Sequence, residues 1–253
     1  MRIAFCVAAL CFSGWCAAYG QDSAPAGNLV AQWVANAQSE DAELATGLGG
    51  VRYVFIRTAI SNPTIVFCGD SRFTITRQGE EIAKALSPAG NVLLFDYPGK
   101  GQSSGHGTAQ EYHNAEDALI NMLTIPRSDT PIIFWGAGAG VAVCAAMAAQ
   151  TPVLSSLVLD TSPASGDDIG ALGRAVDKDV SALLHKFRGT IILTADPAGS
   201  AKPLADDLKK AGLQFTVLHA TKDDPAGRMN DQALRIVTTL AQQARGVSAT
   251  AFP

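Results

Sequence analysis

Residues 132–146, IIFWGAGAGVAVCAA, hold the arrangement best suited to chemistry. An apolar run leads into three alternating glycines, Gly136, Gly138 and Gly140, and then into a small-residue segment. A strand, a tight turn and a helix in that order can carry one of two chemistries. A serine at the centre of G-x-S-x-G is presented there as a nucleophile. Glycines alone let a phosphate approach the first turn of the helix. Here the central residue is Gly138, which brings no nucleophilic atom.

Other nucleophiles are conceivable. Ser103 stands in a literal G-x-S-x-G, Gly101-Gln102-Ser103-Ser104-Gly105, but HGTAQEYHN follows it instead of an apolar helix. The motif has meaning only between a strand and a helix. Ser71 and Cys68 lie at the end of an apolar run. Cys68 would need a base or a helix N-terminus to become reactive, and His219 is the histidine the sequence places nearest to it. A dinucleotide reading takes Gly136–Gly140 as the phosphate cradle and Asp160, about twenty residues on, as the ribose ligand. Against it, Val141 stands where the last glycine of G-x-G-x-x-G belongs. Outside the leader there is no H-x-x-x-H or C-x-x-C spacing, so neither a metal nor another cofactor is expected.

The chain of 253 residues is 47% hydrophobic and 17% charged, with a net charge of −4. That composition excludes a disordered protein. It lacks the basic cluster of a nucleic-acid partner, so none is expected. Residues 1–20 read as a signal peptide: Arg2 precedes the apolar run Ile3–Ala18, too short for a comfortable span, and small residues stand at Ala18 and Gly20. The expected protein is secreted or periplasmic, with no stable membrane insertion after signal cleavage. Of five cysteines only Cys68 and Cys144 remain in the mature chain, and their apolar surroundings read as two small buried thiols.

Strand-like and helix-like segments alternate from residue 50. The strands are expected at VRYVFI, TIVFC, NVLLFD, PIIFW, LSSLVLD, TIILT and QFTVLH. Helices are expected over 74–86, 109–124, 139–150, 168–187, 201–212 and 228–244. Short continuous apolar strands between helices predict an α/β protein with a mostly parallel sheet covered on both faces. Residues 21–49 read as an N-terminal lead-in and 50–253 as one domain. Ligands in such sheets bind outside the carboxyl ends of the strands.

The series PTIVFCGDSRF, NVLLFDYPGKGQSSGHG, PIIFWGAGAGVAVCAAMAA, LVLDTSP and TIILTADP resembles the α/β-hydrolase superfamily, in particular its small, lid-poor, esterase-like members. The resemblance implies a single-domain α/β-hydrolase fold with little or no lid, since 164–189 is short. It puts Gly138 at the nucleophile position and Asp196 at the acid position. The base position falls on Asp223 or, with a small gap, on Arg228; His219 lies four residues early. Gly69 or Asp70, together with Ala139, would supply the backbone N–H groups that bind an oxyanion. The function this implies is an exported hydrolase relative without the usual Ser-His-Asp triad, a non-catalytic pseudoenzyme binding a small-molecule or protein ligand. Hydrolysis of small esters through Ser103, Ser71 or Cys68 is one alternative, and dinucleotide binding through Gly136–Gly140 and Asp160 is another.

Overall fold

A computed structural model describes residues 33–124, 130–151, 155–160, 180–195, 202–219 and 225–244. The elements run β1 (Gln38–Ala45), β2 (Gly50–Arg57), β3 (Thr64–Cys68), α1 (Glu80–Leu86), β4 (Asn91–Phe95), α2 (Ala109–Thr124), β5 (Ile132–Ala137) and α3 (Gly140–Gln150). They continue with β6 (Ser155–Asp160), α4 (Val180–Lys186), β7 (Thr190–Ala195), α5 (Lys202–Lys210), β8 (Thr216–His219) and α6 (Pro225–Ala244). The strands form one sheet in the order β1-β2-β4-β3-β5-β6-β7-β8. β2 runs against both of its neighbours, and β3 to β8 are parallel.

β3, β4 and β6 are buried at every residue. Their side chains alternate between two cores, as a period of two requires. Val66, Leu93, Phe134 and Leu157 face the layer that holds α2 and α3. Ile65, Leu94, Ile133 and Val158 face the opposite layer, which includes Leu86 of α1 and Ile236 of α6. Each such side chain stabilises the fold by about 1.5–3 kcal/mol. α3 is apolar on all sides because residues 140–148 are buried all round. α2 opens on a reciprocal cap: Glu111 N–H donates to Thr108 Oγ1, and the Glu111 carboxylate accepts the Thr108 N–H at 2.7 Å. The bonds from Thr108 and His106 hold the exposed Glu111 carboxyl below its usual range.

Two expectations are corrected. Gln38–Ala45, read as part of a lead-in, is an edge strand paired along its whole length with β2. Its sequence, QSEDAELA, lacks an apolar run because only one face meets the core, through Ala42 and Leu44. Cys68 and Cys144 are not thiols. They form a disulfide that closes a separation of 76 residues, with the two Cα atoms 5.9 Å apart. α4 falls within the helical segment expected over 168–187, and residues 161–179 lie outside the described residues. Among the described residues no helix is long and apolar enough to cross a membrane.

The disulfide should carry a measurable share of stability. Replacing both cysteines, Cys68→Ala with Cys144→Ala, should lower it by roughly 2–4 kcal/mol, the usual worth of a bridge closing a long loop. Urea unfolding reads this directly. In denaturant, the native protein should take up a thiol alkylator at these positions only after reduction.

Candidate functional site

The centre of the sheet brings the end of β3 beside the turn between β5 and α3. Cys68 pairs in register with Gly136. The three glycines of the turn have different causes. A Cβ on Gly136 would lie 2.6 Å from the Val141 Cα, and one on Gly140 would lie 2.0 Å from the Cys68 carbonyl oxygen and 2.4 Å from that of Gly69. Both are glycines because backbone passes through that space. Gly138 has φ +53°, the left-handed region that disfavours any side chain with a Cβ. Its N–H donates to the Asp160 carbonyl at 2.8 Å, and its carbonyl accepts the Val141 N–H at 3.1 Å. Ala139 follows as the N-cap of α3, with helical φ −60° and ψ −26°.

The β3 loop is held from below. The Tyr97 hydroxyl donates to the Gly69 carbonyl at 2.6 Å. Burial raises the Tyr97 pKa well above that of a free phenol, helped by the nearby Tyr112, Asp70 and Glu116, so the donor stays protonated. In a trans peptide the C=O and the following N–H point in opposite directions. The Asp70 N–H is therefore turned away from Tyr97. The Asp70 carboxylate accepts the Arg72 N–H at 2.9 Å and lies 3.6 Å from the Arg72 guanidinium. The end of β3, through the Cys68 and Gly69 carbonyls, thus lies against Gly140 at the start of α3, whose N-terminal end contributes a partial positive charge.

Other candidates fall elsewhere. Cys68 is excluded as a nucleophile because its sulfur is bonded to Cys144. Ser103 is buried; its hydroxyl donates to the Asp96 carbonyl at 2.7 Å and accepts the Arg52 N–H at 2.8 Å. It staples the loop after β4 to β2. Asp96 does similar work, accepting the N–H groups of Ile75 and Gln102, and burial raises its pKa. Ser71 is half-buried in the turn directly after β3. His219 ends β8, exposed, its carbonyl accepting a bond from Arg235. It is four strands away from β3, roughly 19 Å at ~4.8 Å per strand, so it is not the partner of Cys68 that the sequence offered. Arg228 lies in α6. Asp196 and Asp223 lie outside the described residues. The Asp160 carboxylate is 7% exposed and lies 3.5 Å from the Trp135 indole nitrogen. Gly136 and Gly140, which the dinucleotide reading takes as a phosphate cradle, are each pressed against backbone, and Asp160, its ribose ligand, is buried at the end of β6. Among the described residues no group of acidic, histidine or cysteine side chains is placed to hold a metal ion.

No protein-family model matches the chain, and no curated protein sequence matches it either. Solved structures do. An esterase of Pyrococcus furiosus superposes with a TM-score of 0.62 at 15% identity, covering 81% of this chain and 91% of that one. Est1E of Butyrivibrio proteoclasticus, solved with ferulic acid bound, gives 0.59 at 13% identity, over 80% of this chain and 99% of its own. Dienelactone hydrolase of Anabaena variabilis gives 0.56 at 14% identity, over 80% and 96%.

The chain has the α/β-hydrolase fold. In an α/β-hydrolase the turn between β5 and the next helix presents the nucleophile, with an oxyanion donor from the residue after it. In this chain Gly138 and Ala139 form the turn between β5 and α3.

The tightness of this junction is testable. Gly140→Ala would drive a methyl group into two carbonyl oxygens and should destabilise the protein by about 3 kcal/mol or more. Gly47→Ala, with φ +80° and nothing within 4 Å of the added carbon, should cost only about 1–2 kcal/mol of backbone strain. Thermal or urea unfolding of the two variants checks the difference.

Proposed function

We propose that this protein is an exported, non-catalytic relative of the α/β-hydrolases that binds a small-molecule or protein ligand at the β5–α3 turn. The observation that carries the reading is Gly138: where the sequence resemblance puts the nucleophile, the backbone is left-handed and there is no side chain. Two of the three substitute nucleophiles support it, Cys68 by its disulfide and Ser103 by its two structural hydrogen bonds. The backbone donors beside Gly138 support a site that still binds an electron-rich group. Export is supported by the leader-like residues 1–20 and by the disulfide, which persists in oxidising compartments. Hydrolysis of small esters is the second reading, and Ser71, on the turn that borders the site, is the nucleophile left to it.

Restoring the missing parts separates the readings. Gly138→Ser alone should give little turnover of an activated short-chain ester, because a serine hydroxyl is a weak nucleophile until a base takes its proton. An aspartate at the base position is a poor base near pH 7, and an arginine is none. Gly138→Ser combined with Asp223→His should exceed the sum of the single variants, as residues that act as a unit do. Circular dichroism confirms folding of each. A single serine variant as active as the double would mean that a base is already in place, and a parent protein active without either change, but not after Ser71→Ala, would establish the second reading.

A further inference from the structure

The opposite end of β3 borders a cavity. The pairing of Glu40 with Phe55 across β1 and β2 places both on one face, and the alternation of β2 adds Tyr53 and Arg57 to it. Beneath that face the last turn of α2 contributes Met122 and Leu123, and the starts of β3 and β5 contribute Thr64 and Ile132. They enclose a cavity of about 240 Å³. That is somewhat larger than the ~150 Å³ that holds benzene and below the ~300–1,000 Å³ of sites for drug-sized molecules. The cavity is separated from the β5–α3 turn by the length of β3, roughly 13 Å at ~3.3 Å per residue.

Its chemistry is two-sided. Phe55, Met122, Leu123 and Ile132 form its apolar wall, and Thr64 and Thr130 also line it. Its polar edge carries one cation and one anion side by side, with Arg57 Nη2 3.4 Å from Glu40 Oε2. Both are held in place. The Arg57 guanidinium lies over the Phe55 ring, 4.8 Å from its centre, and the Tyr53 hydroxyl donates to the other Glu40 oxygen. The Tyr53 pKa is pushed up to about 12, first by burial and then by Glu40, so that donor persists across the physiological range. Both charged side chains remain part-exposed, at 39% and 46%. An ion pair this open is worth about 0–1 kcal/mol, so little opposes its exchange for a ligand.

We propose that this cavity binds a free amino acid with an apolar side chain, its carboxylate on Arg57, its ammonium on Glu40 and its side chain among Phe55, Met122, Leu123 and Ile132. A ligand with only a carboxylate meets the unpaired repulsion of Glu40, and one with only an ammonium meets that of Arg57. A zwitterion satisfies both. The guanidinium fork suits a carboxylate in two-point contact, and the cavity leaves room for a branched aliphatic group but not for a large ligand.

Calorimetric titration of the whole mature protein with L-leucine, isocaproate and isoamylamine tests this; the last two are leucine without its ammonium and without its carboxylate. Leucine should bind at least about tenfold more tightly than either. Arg57→Gln and Glu40→Gln should each weaken leucine by about tenfold or more, and Met122→Trp, which fills the cavity, should abolish it. Circular dichroism confirms that the variants fold, and because two of them change only surface charge, loss of fold in the third leaves the result decisive. Failure of leucine to bind, binding equal to that of either single-charge analogue, or binding unchanged in the charge variants would overturn the proposal.

Discussion

The end of β3 lies against the first turn of α3 with no room for a side chain between them. The carbonyls of Cys68 and Gly69 occupy the space that a Cβ on Gly140 would need. One turn further along the helix, Cys144 closes the disulfide to Cys68. This junction fixes the helix relative to the sheet, and therefore fixes where the Ala139 N–H and the β3 loop stand relative to each other. The Tyr97 bond to the Gly69 carbonyl adds the third restraint, setting the orientation of the peptide that carries the Asp70 N–H. A covalent link, an enforced glycine and a buried phenol thus all act on Cys68 and Gly69 at the end of β3.

What is held so firmly is a strand end and a helix start beside Gly138, a residue with no side chain. On the proposed reading of this turn, nucleophilic attack would need an activated atom there, whereas binding would need only backbone donors in a stable geometry. The structural effort around the β4 loop points the same way. Asp96 and Ser103, two polar residues of the stretch NVLLFDYPGKGQSSGHG, both turn inward and satisfy backbone groups. They shape the fold's characteristic loop without offering a reactive group to solvent.

Much of this was legible in the sequence, for a simple reason. TIVFC, NVLLF and SSLVLD are apolar on both faces because both faces are covered, and such runs can be read without knowing the partner strand. β1 was not legible because an edge strand with one buried face carries only Ala42 and Leu44 as signal among charges. The disulfide was not legible either. A buried cysteine looks the same whether free or paired, and only the crossing of β3 with α3 brings two cysteines 76 residues apart within bonding distance. The reach of His219 was misjudged because sequence gives a strand's end but not its place in the sheet. The order β3-β5-β6-β7-β8 puts that end four strands away from Cys68. The Gly138 turn was legible as a turn, since strand, glycines and helix follow in sequence, but the separate causes of its three glycines required coordinates.

The central claim is that no side chain of this protein acts as an activated serine nucleophile. Incubation of the folded mature protein with a fluorophosphonate, followed by intact mass, addresses it most directly, because this reagent reports activation of a hydroxyl and not mere exposure. The account predicts an unchanged mass after prolonged exposure, alongside full labelling of an authentic serine esterase in the same tube. A stoichiometric adduct that is lost on unfolding the protein before treatment would contradict it, and mapping that adduct to Ser71 would identify the nucleophile.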